Sequence, residues 1–137
     1  MSKLLAAIRL RAESTGKLPA LTGDNQQLRY LDLMAAVDDL ASNLRYRCIK
    51  RLALLADNSP FWVVVDLACL DAEVTLIPIP VFHDVKQIAN ILSQCSADAL
   101  ISDRALDDKE LTGFLASGEK VQRLNGITSL ALWLLPI

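Results

Sequence analysis

The sequence predicts an α/β fold with a mostly parallel sheet and helices on both faces. Three short apolar runs, Arg51 to Ala56 (RLALLA), Val74 to Ile79 (VTLIPI) and Ala97 to Ser102 (ADALIS), lack helical spacing and read as buried strands. Between them lie segments long enough for a helix. Strands that alternate with helices require right-handed crossovers, which set parallel strands side by side.

Ahead of these units, residues 4 to 12 predict a short amphipathic helix through Leu4, Leu5 and Ile8. Leu18 to Leu21 and Leu28 to Tyr30 flank Gly23-Asp24-Asn25, turn chemistry that predicts an N-terminal hairpin. From Leu31 to about Arg45, Leu33, Met34, Val37, Leu40, Ala41 and Leu44 recur at three- and four-residue spacing and mark one face of a helix. Asp38 and Asp39 fall outside that face. Adjacent helical residues point in different directions and no basic or metal-binding partner is in view, so the pair reads as a solvated surface rather than acid–base machinery.

"SPFWVVVDLACL", residues 59 to 70, carries a β-branched run that suits a strand, yet its first two residues start a helix. Ser59 can accept from free amides of the first turn, and Pro60 at the first helical position gives up an N–H that has no intrahelical partner. The valines oppose a helix by a few tenths of a kcal/mol each, whereas burying one large apolar side chain gains about 1.5–3 kcal/mol. The expectation is a helix buried on most of its surface, against a sheet on one side and helices or another domain on the other.

The strand Val74 to Ile79 meets Pro78 and Pro80, which suit a strand terminus. Asp84 predicts the cap of a helix carrying Val85, Ile88, Ala89, Ile91, Leu92 and Cys95, and Asp103 opens a further helical stretch toward Leu115. Gly118-Glu119 turns the chain into Val121 to Leu124, and Ile127 to Leu135 predicts a last apolar strand.

A chain of 137 residues fits a single domain, residues 1–137, and its 53% hydrophobic and 22% charged composition excludes a disordered tail. A net charge of -2 gives no general pull toward nucleic acid or acidic membranes. Cys48, Cys69 and Cys95 are odd in number and widely spaced among apolar residues, which suits reduced core thiols in a cytoplasmic protein. Lys3, Arg9 and Arg11 interrupt any signal-peptide core, and Asp66 and Asp71 cut the central apolar stretch below the ~20 residues of a transmembrane segment.

Parallel sheets bind ligands at the carboxyl ends of their strands, which directs attention to Asp57-Asn58-Ser59, Phe82-His83-Asp84 and Ser102-Asp103. Amides at the Ser59 helix start suit an anion, but helix capping alone explains each segment. Gly16, Gly23, Gly113, Gly118 and Gly126 form no phosphate-cradling cluster. His83 is the lone histidine: a metal site would rest on carboxylates alone, a serine or cysteine nucleophile would have this single candidate base, and the residue reads as a hydrogen-bonded loop histidine. No residue is therefore assigned a catalytic, cofactor-binding or metal role.

The pieces "LRYLDLMAAVDDLASNL" (28 to 44), "RLALLADNSPFWVVVDLACLDAEVTLIPIP" (51 to 80) and "IANILSQCSADALISD" (88 to 103) together resemble the N-terminal segment of the adenylate-forming, AMP-binding enzymes. These include acyl-CoA synthetases, adenylation domains of peptide synthetases, and luciferases. The shared order is a tyrosine-led helix start, a strand followed by an Asn-Ser-Pro-like helix start, an alanine-rich helix leading to a proline-ended strand, and a helix leading to a strand that ends near Asp. Two positions depart from it. Arg29 stands where the family has a hydroxyl cap, and Glu73 where it has glycine, which argues against a positive-φ turn there.

The resemblance implies an ATP-dependent ligase that uses Mg²⁺ to activate a carboxylic acid, fatty or otherwise, as an acyl-adenylate and passes it to CoA or a carrier-protein pantetheine. The family's phosphate loop, adenine-binding segment, ribose-binding aspartate and catalytic lysine have no counterpart in this sequence. The chain is therefore expected to be an N-terminal subdomain fragment, inactive alone, binding no cofactor itself. Its partner would be the remainder of the ligase, and the apolar ending "LALWLLPI" suggests truncation and self-association. The competing expectation is a complete small α/β interaction or regulatory module that binds a partner protein.

Overall fold

A computed structural model of the chain describes residues 2–23 and 27–103, together with the backbone of 122–124 and 132–136. In chain order its elements are α1 (Lys3–Thr15), β1 (Pro19–Thr22), β2 (Gln27–Arg29), α2 (Tyr30–Tyr46), β3 (Arg51–Leu55), α3 (Pro60–Ala72), β4 (Thr75–Ile79), α4 (Val85–Gln94), β5 (Ala99–Ser102), β6 (Gln122–Leu124) and β7 (Leu132–Pro136). They fall into two compact units, Met1–Cys48 with Asn58–Glu73, and Ile49–Asp57 with Val74–Ile137.

The first unit holds the hairpin and three helices. α1 is capped by Ser2, whose hydroxyl accepts from the Leu5 N–H at 3.0 Å, and it runs one turn beyond the expected residue 12. β1 and β2 pair antiparallel with Leu21 opposite Leu28 and a register shift between Pro19 and Leu21; of the predicted turn, Asp24 and Asn25 lie outside the described residues. α2 buries Leu33, Met34, Val37, Leu40, Ala41 and Leu44, the six residues that periodicity selects, and Ala36 besides. It packs against both α1 and α3.

α3 settles the ambiguity of "SPFWVVVDLACL" in favour of a helix. The Ser59 hydroxyl accepts from the Trp62 N–H at 3.3 Å and Pro60 occupies the first turn. Phe61, Val64, Val65, Leu67, Ala68 and Cys69 are buried, so packing outweighs the weak propensity of the valines.

At the end of α3 the expectation is corrected. Glu73 does adopt a positive-φ conformation, φ 57° and ψ 43°, and its N–H is directed at the carbonyls of Cys69 and Leu70. The helix must stop and turn into β4 within two residues, and the left-handed residue supplies hydrogen bonds to the last carbonyls whatever its side chain. Cys48 (φ 56°), after α2, and Ser96 (φ 52°), after α4, make the same excursion. Three helix exits toward strands thus use a left-handed residue other than glycine.

The second unit contains a five-stranded sheet in the order β4-β3-β5-β7-β6. β3 pairs parallel with β4 from Arg51↔Thr75 to Leu55↔Ile79, and parallel with β5 from Leu52↔Ala99 to Leu55↔Ser102. The three apolar runs are therefore strands, and they lie side by side. Pro78 sits in the edge strand β4, where a missing N–H is tolerated. α4 begins with a reciprocal cap between Asp84 and Gln87, and Ile88, Ala89 and Leu92 join Ala53, Leu55, Ile79, Ala97 and Leu100 in one apolar cluster.

Beyond β5 the sheet changes character. β7 lies antiparallel to β5, with Ala99↔Pro136 and Ser102↔Trp133, and β6 lies antiparallel to β7. Among the described strands the parallel arrangement covers β4, β3 and β5. The last described strand is Leu132–Pro136, which runs one residue past the expected end at Leu135; residues 127–131 lie outside the described residues, as do the expected helix toward Leu115 and the turn at Gly118-Glu119.

Candidate functional site

The carboxyl ends of β3, β4 and β5 are the place to look for chemistry, and capping occupies most of their polar groups. At the end of β5, Ser102 is fully buried, and the Asp103 carboxylate accepts from the Asp57 N–H at 3.1 Å while the Asp103 N–H donates to the Leu55 carbonyl at 3.2 Å. Asp103 therefore ties the end of β5 to the segment that leaves β3. After β4, the Asp84 carboxylate accepts from the Gln87 N–H at 2.8 Å, and the Gln87 side chain accepts from the Asp84 N–H at 2.9 Å. This pair is a helix cap, as the sequence predicts.

His83 is held in a turn by its N–H to the Pro80 carbonyl at 3.3 Å, and its ring meets that of Phe82 edge-on at 4.8 Å. Its Nδ1 is buried without a hydrogen-bond partner. The ring nitrogen thus lacks, among the described residues, the hydrogen bond that the sequence predicts. Among the described residues no three His, Cys, Asp or Glu side chains converge on a metal position.

In the first unit, the start of α3 opens on a cavity of about 330 Å³ lined in part by Thr22, Gly23, Asn58, Ser59, Pro60 and Val63. Ser59 caps this helix start. Its hydroxyl takes the Trp62 N–H, its carbonyl takes that of Val63 at 3.4 Å, and Pro60 has none. Asn58 and Ser59 thus form a capped helix start.

The three cysteines are free but differ in surroundings. Cys69 is buried in α3, and desolvation together with the nearby Asp66 charge pushes its thiol up to about 12. Cys95 is partly buried. Cys48 is exposed, which corrects its assignment to the core: it follows the last turn of α2 in a left-handed conformation, outside the apolar face.

Sequence reasoning also missed a set of ion pairs in the first unit. Asp38 is exposed as expected, yet Arg9 of α1 holds it with two hydrogen bonds of 2.8 and 3.1 Å and approaches Asp71 of α3 at 3.7 Å. Asp38 hydrogen bonding holds the Arg9 guanidinium above its usual pKa, against a smaller loss from burial. Arg45 of α2 reaches Asp71 at 3.1 Å and its carbonyl at 2.8 Å. The nearest of these partners in sequence are 26 residues apart, so no local pattern announces them.

Arg29 behaves as its chemistry requires: it heads α2 without a side-chain cap, and instead clamps Asp32 through Nε at 2.8 Å and Nη2 at 3.1 Å. That clamp holds the Asp32 carboxyl below its usual range, reinforced by the charge and backbone N–H of Arg29 and opposed by slight burial.

Known proteins place this scaffold. The AMP-binding enzyme family matches residues 8–131. A nonribosomal peptide synthetase from Lecanicillium sp is 33% identical over 96 residues, which is 66% of this chain and 1% of that protein. Coronafacic acid ligase from Pectobacterium brasiliense shares the fold with a TM-score of 0.69 at 18% identity, over 80% of this chain and 22% of its own. Unliganded o-succinylbenzoate coenzyme A synthetase from Bacillus subtilis gives 0.65 at 20% identity, over 80% of this chain and 25% of its own. The Klebsiella oxytoca NpsA N-terminal subdomain in complex with 3-hydroxyanthranilyl-AMSN gives 0.63 at 16% identity, over 96% of this chain and 39% of its own. This chain therefore spans a small part of the length of each protein it matches. With a family match that runs from α1 to the threshold of β7, the chain belongs to the AMP-binding enzyme family.

Proposed function

We propose that residues 1–137 are the N-terminal scaffold portion of an ATP-dependent, AMP-forming ligase. The whole enzyme activates a carboxylic acid as an acyl-adenylate for transfer to a thiol, CoA or a carrier-protein pantetheine. The observation that carries this reading is the family match over residues 8–131. The solved relatives are ligases and adenylation proteins by name, and their acids differ widely in shape. The reading therefore specifies a carboxylic acid, with a fatty acid as one member of the class.

This portion supplies structure rather than chemistry. Its polar groups at the strand ends are used in caps and ties, and the phosphate loop and lysine of the family have no counterpart in the sequence. The chain alone is inert in adenylation, and Mg²⁺, ATP and the accepting thiol belong to the whole enzyme. Free thiols and a chain in which no described helix is long and apolar enough to cross a membrane support a cytoplasmic location.

The test is carboxylate-dependent exchange of pyrophosphate into ATP. The 137-residue chain gives no exchange with any member of a panel of short, long and aromatic acids, whereas a chain carrying the family's phosphate loop and lysine after residue 137 gives exchange with at least one. Exchange by the 137-residue chain itself overturns the scaffold reading.

A further inference from the structure

α1 is held to the first unit by less than the other two helices are. Leu5 is its one buried residue among 13, whereas α2 buries seven of 17 and α3 seven of 13. Ile8 and Ala12, which follow Leu5 at three- and four-residue spacing, are half-buried. A segment with so little buried apolar surface opens at a lower free energy than the whole fold unfolds.

The two ends of α1 are fastened in different ways. At the carboxyl end, the Gly16 carbonyl accepts from the Leu31 N–H and the Leu18 carbonyl from the Tyr30 N–H, both at 3.0 Å, so backbone stitches the helix exit to the start of α2. Nearer the amino end the polar hold is Arg9, the one residue of α1 in an ion pair among the described residues. Its guanidinium donates to both Asp38 carboxylate oxygens, at 2.8 and 3.1 Å, and lies 3.7 Å from Asp71. Asp71 also pairs with Arg45, so four charges join α1, α2 and α3. The Asp71 side chain is 12% exposed, which makes it the least hydrated of the four. Arg9 brings a cost as well as a bond: its Nε is buried without a hydrogen-bond partner, and water satisfies it once the helix leaves.

We propose that α1 is a strap that swings off α2 and α3 about the Gly16 junction while those helices stay folded, with Arg9 as its salt-sensitive latch. Backbone bonds hold the pivot, and the free end rests on Leu5 and the charge network. The charges at the latch keep partial contact with solvent, so each pair is modest and added salt weakens it without touching Leu5. Arg9 is the member whose loss separates α1 from both partners, because Arg45 and Asp71 still join α2 to α3 without it. The proposal concerns the first unit alone and does not rest on the ligase reading.

Hydrogen exchange of the folded 137-residue chain, followed segment by segment by mass spectrometry, tests it. The expected result is that α1 amides exchange far faster than those of α2 and α3, at a rate that low urea hardly changes because little surface is uncovered. Arg9→Met keeps the aliphatic stem and removes the charge, and it raises the α1 opening constant about two- to fivefold while leaving α2 and α3 as they were. Asp38→Asn does the same, and the double variant goes no further than either single one. Salt speeds α1 exchange in the wild type and has no such effect in Arg9→Met. Leu5→Ala raises the opening constant at least about thirtyfold, again in α1 alone, whereas Arg11→Met, a cation of the same helix outside the network, changes nothing. Protection of α1 equal to that of α2 overturns the strap. Exchange that rises equally in all three helices of Arg9→Met or Asp38→Asn, or wild-type α1 exchange indifferent to salt, overturns the latch; the salt arm needs no variant.

Discussion

Glu73 shows how a single residue can be forced by its neighbours. Its left-handed conformation costs an L-residue roughly 1–2 kcal/mol relative to the right-handed region, and glycine escapes that cost while losing roughly 0.5–1 kcal/mol in chain entropy on folding. Glu73→Gly is therefore expected to raise stability by roughly 0.5 kcal/mol, read as a higher urea midpoint at unchanged slope, whereas a β-branched residue at the same place lowers it. The cysteines give a second prediction at this scale. A thiol held up to about 12 stays protonated and inert, so a disulfide reagent at pH 8 modifies Cys48 at once and Cys69 only on unfolding. The sign with pH follows: the neutral Cys69 thiol contributes stability below its unfolded value near 9, and that contribution fades as pH rises from there toward 12. A Cys69→Ala variant should show a flatter loss of stability over that window.

Helices α3 and α4 owe their starts to side chains that the sequence displays openly. Ser59 and Asp84 each accept from a first-turn amide, and truncating an N-cap costs about 1 kcal/mol. Ser59→Ala and Asp84→Ala should each lower the unfolding free energy by about that amount, read in urea unfolding; in Asp84→Ala the reciprocal bond from the residue-84 N–H to Gln87 Oε1 survives, because its donor is the backbone. Caps, apolar periodicity and the three buried strands were legible because all are local: a residue's role in them depends on neighbours within a turn or two. The antiparallel return of β7 beside β5, and the Arg9–Asp38 contact between α1 and α2, were not legible for the opposite reason. Both join segments with no shared periodicity, and tertiary packing decides them. The left-handed residues were hidden too, because Glu73 and Ser96 have none of the side-chain freedom from which such a turn is usually read.

At the scale of the whole molecule, membership of the AMP-binding enzyme family meets strand ends whose polar groups form caps and ties. The fold of an AMP-binding enzyme was legible because four loosely specific features, spread over three pieces, occur in the right order; no site was read because the residues this chain places at its strand ends serve as caps. The consequence can be measured without knowing the acid. A ligand that binds the folded state at a concentration a hundred times its Kd adds about 2.7 kcal/mol to stability, and for a chain of this size that raises Tm by about 10 °C. Nucleotide phosphates need a glycine-rich loop or a free helix start. The glycines of this chain are dispersed, and the α3 start is occupied by Ser59 and Pro60. Millimolar ATP with Mg²⁺ is therefore expected to leave Tm where it is, as is an acyl-adenylate analogue, while the same ligands raise Tm in a longer chain that exchanges pyrophosphate. A rise of several degrees in the 137-residue chain would mean that the scaffold holds part of the nucleotide by itself, and Ser59→Ala would then show whether the α3 start is where it is held.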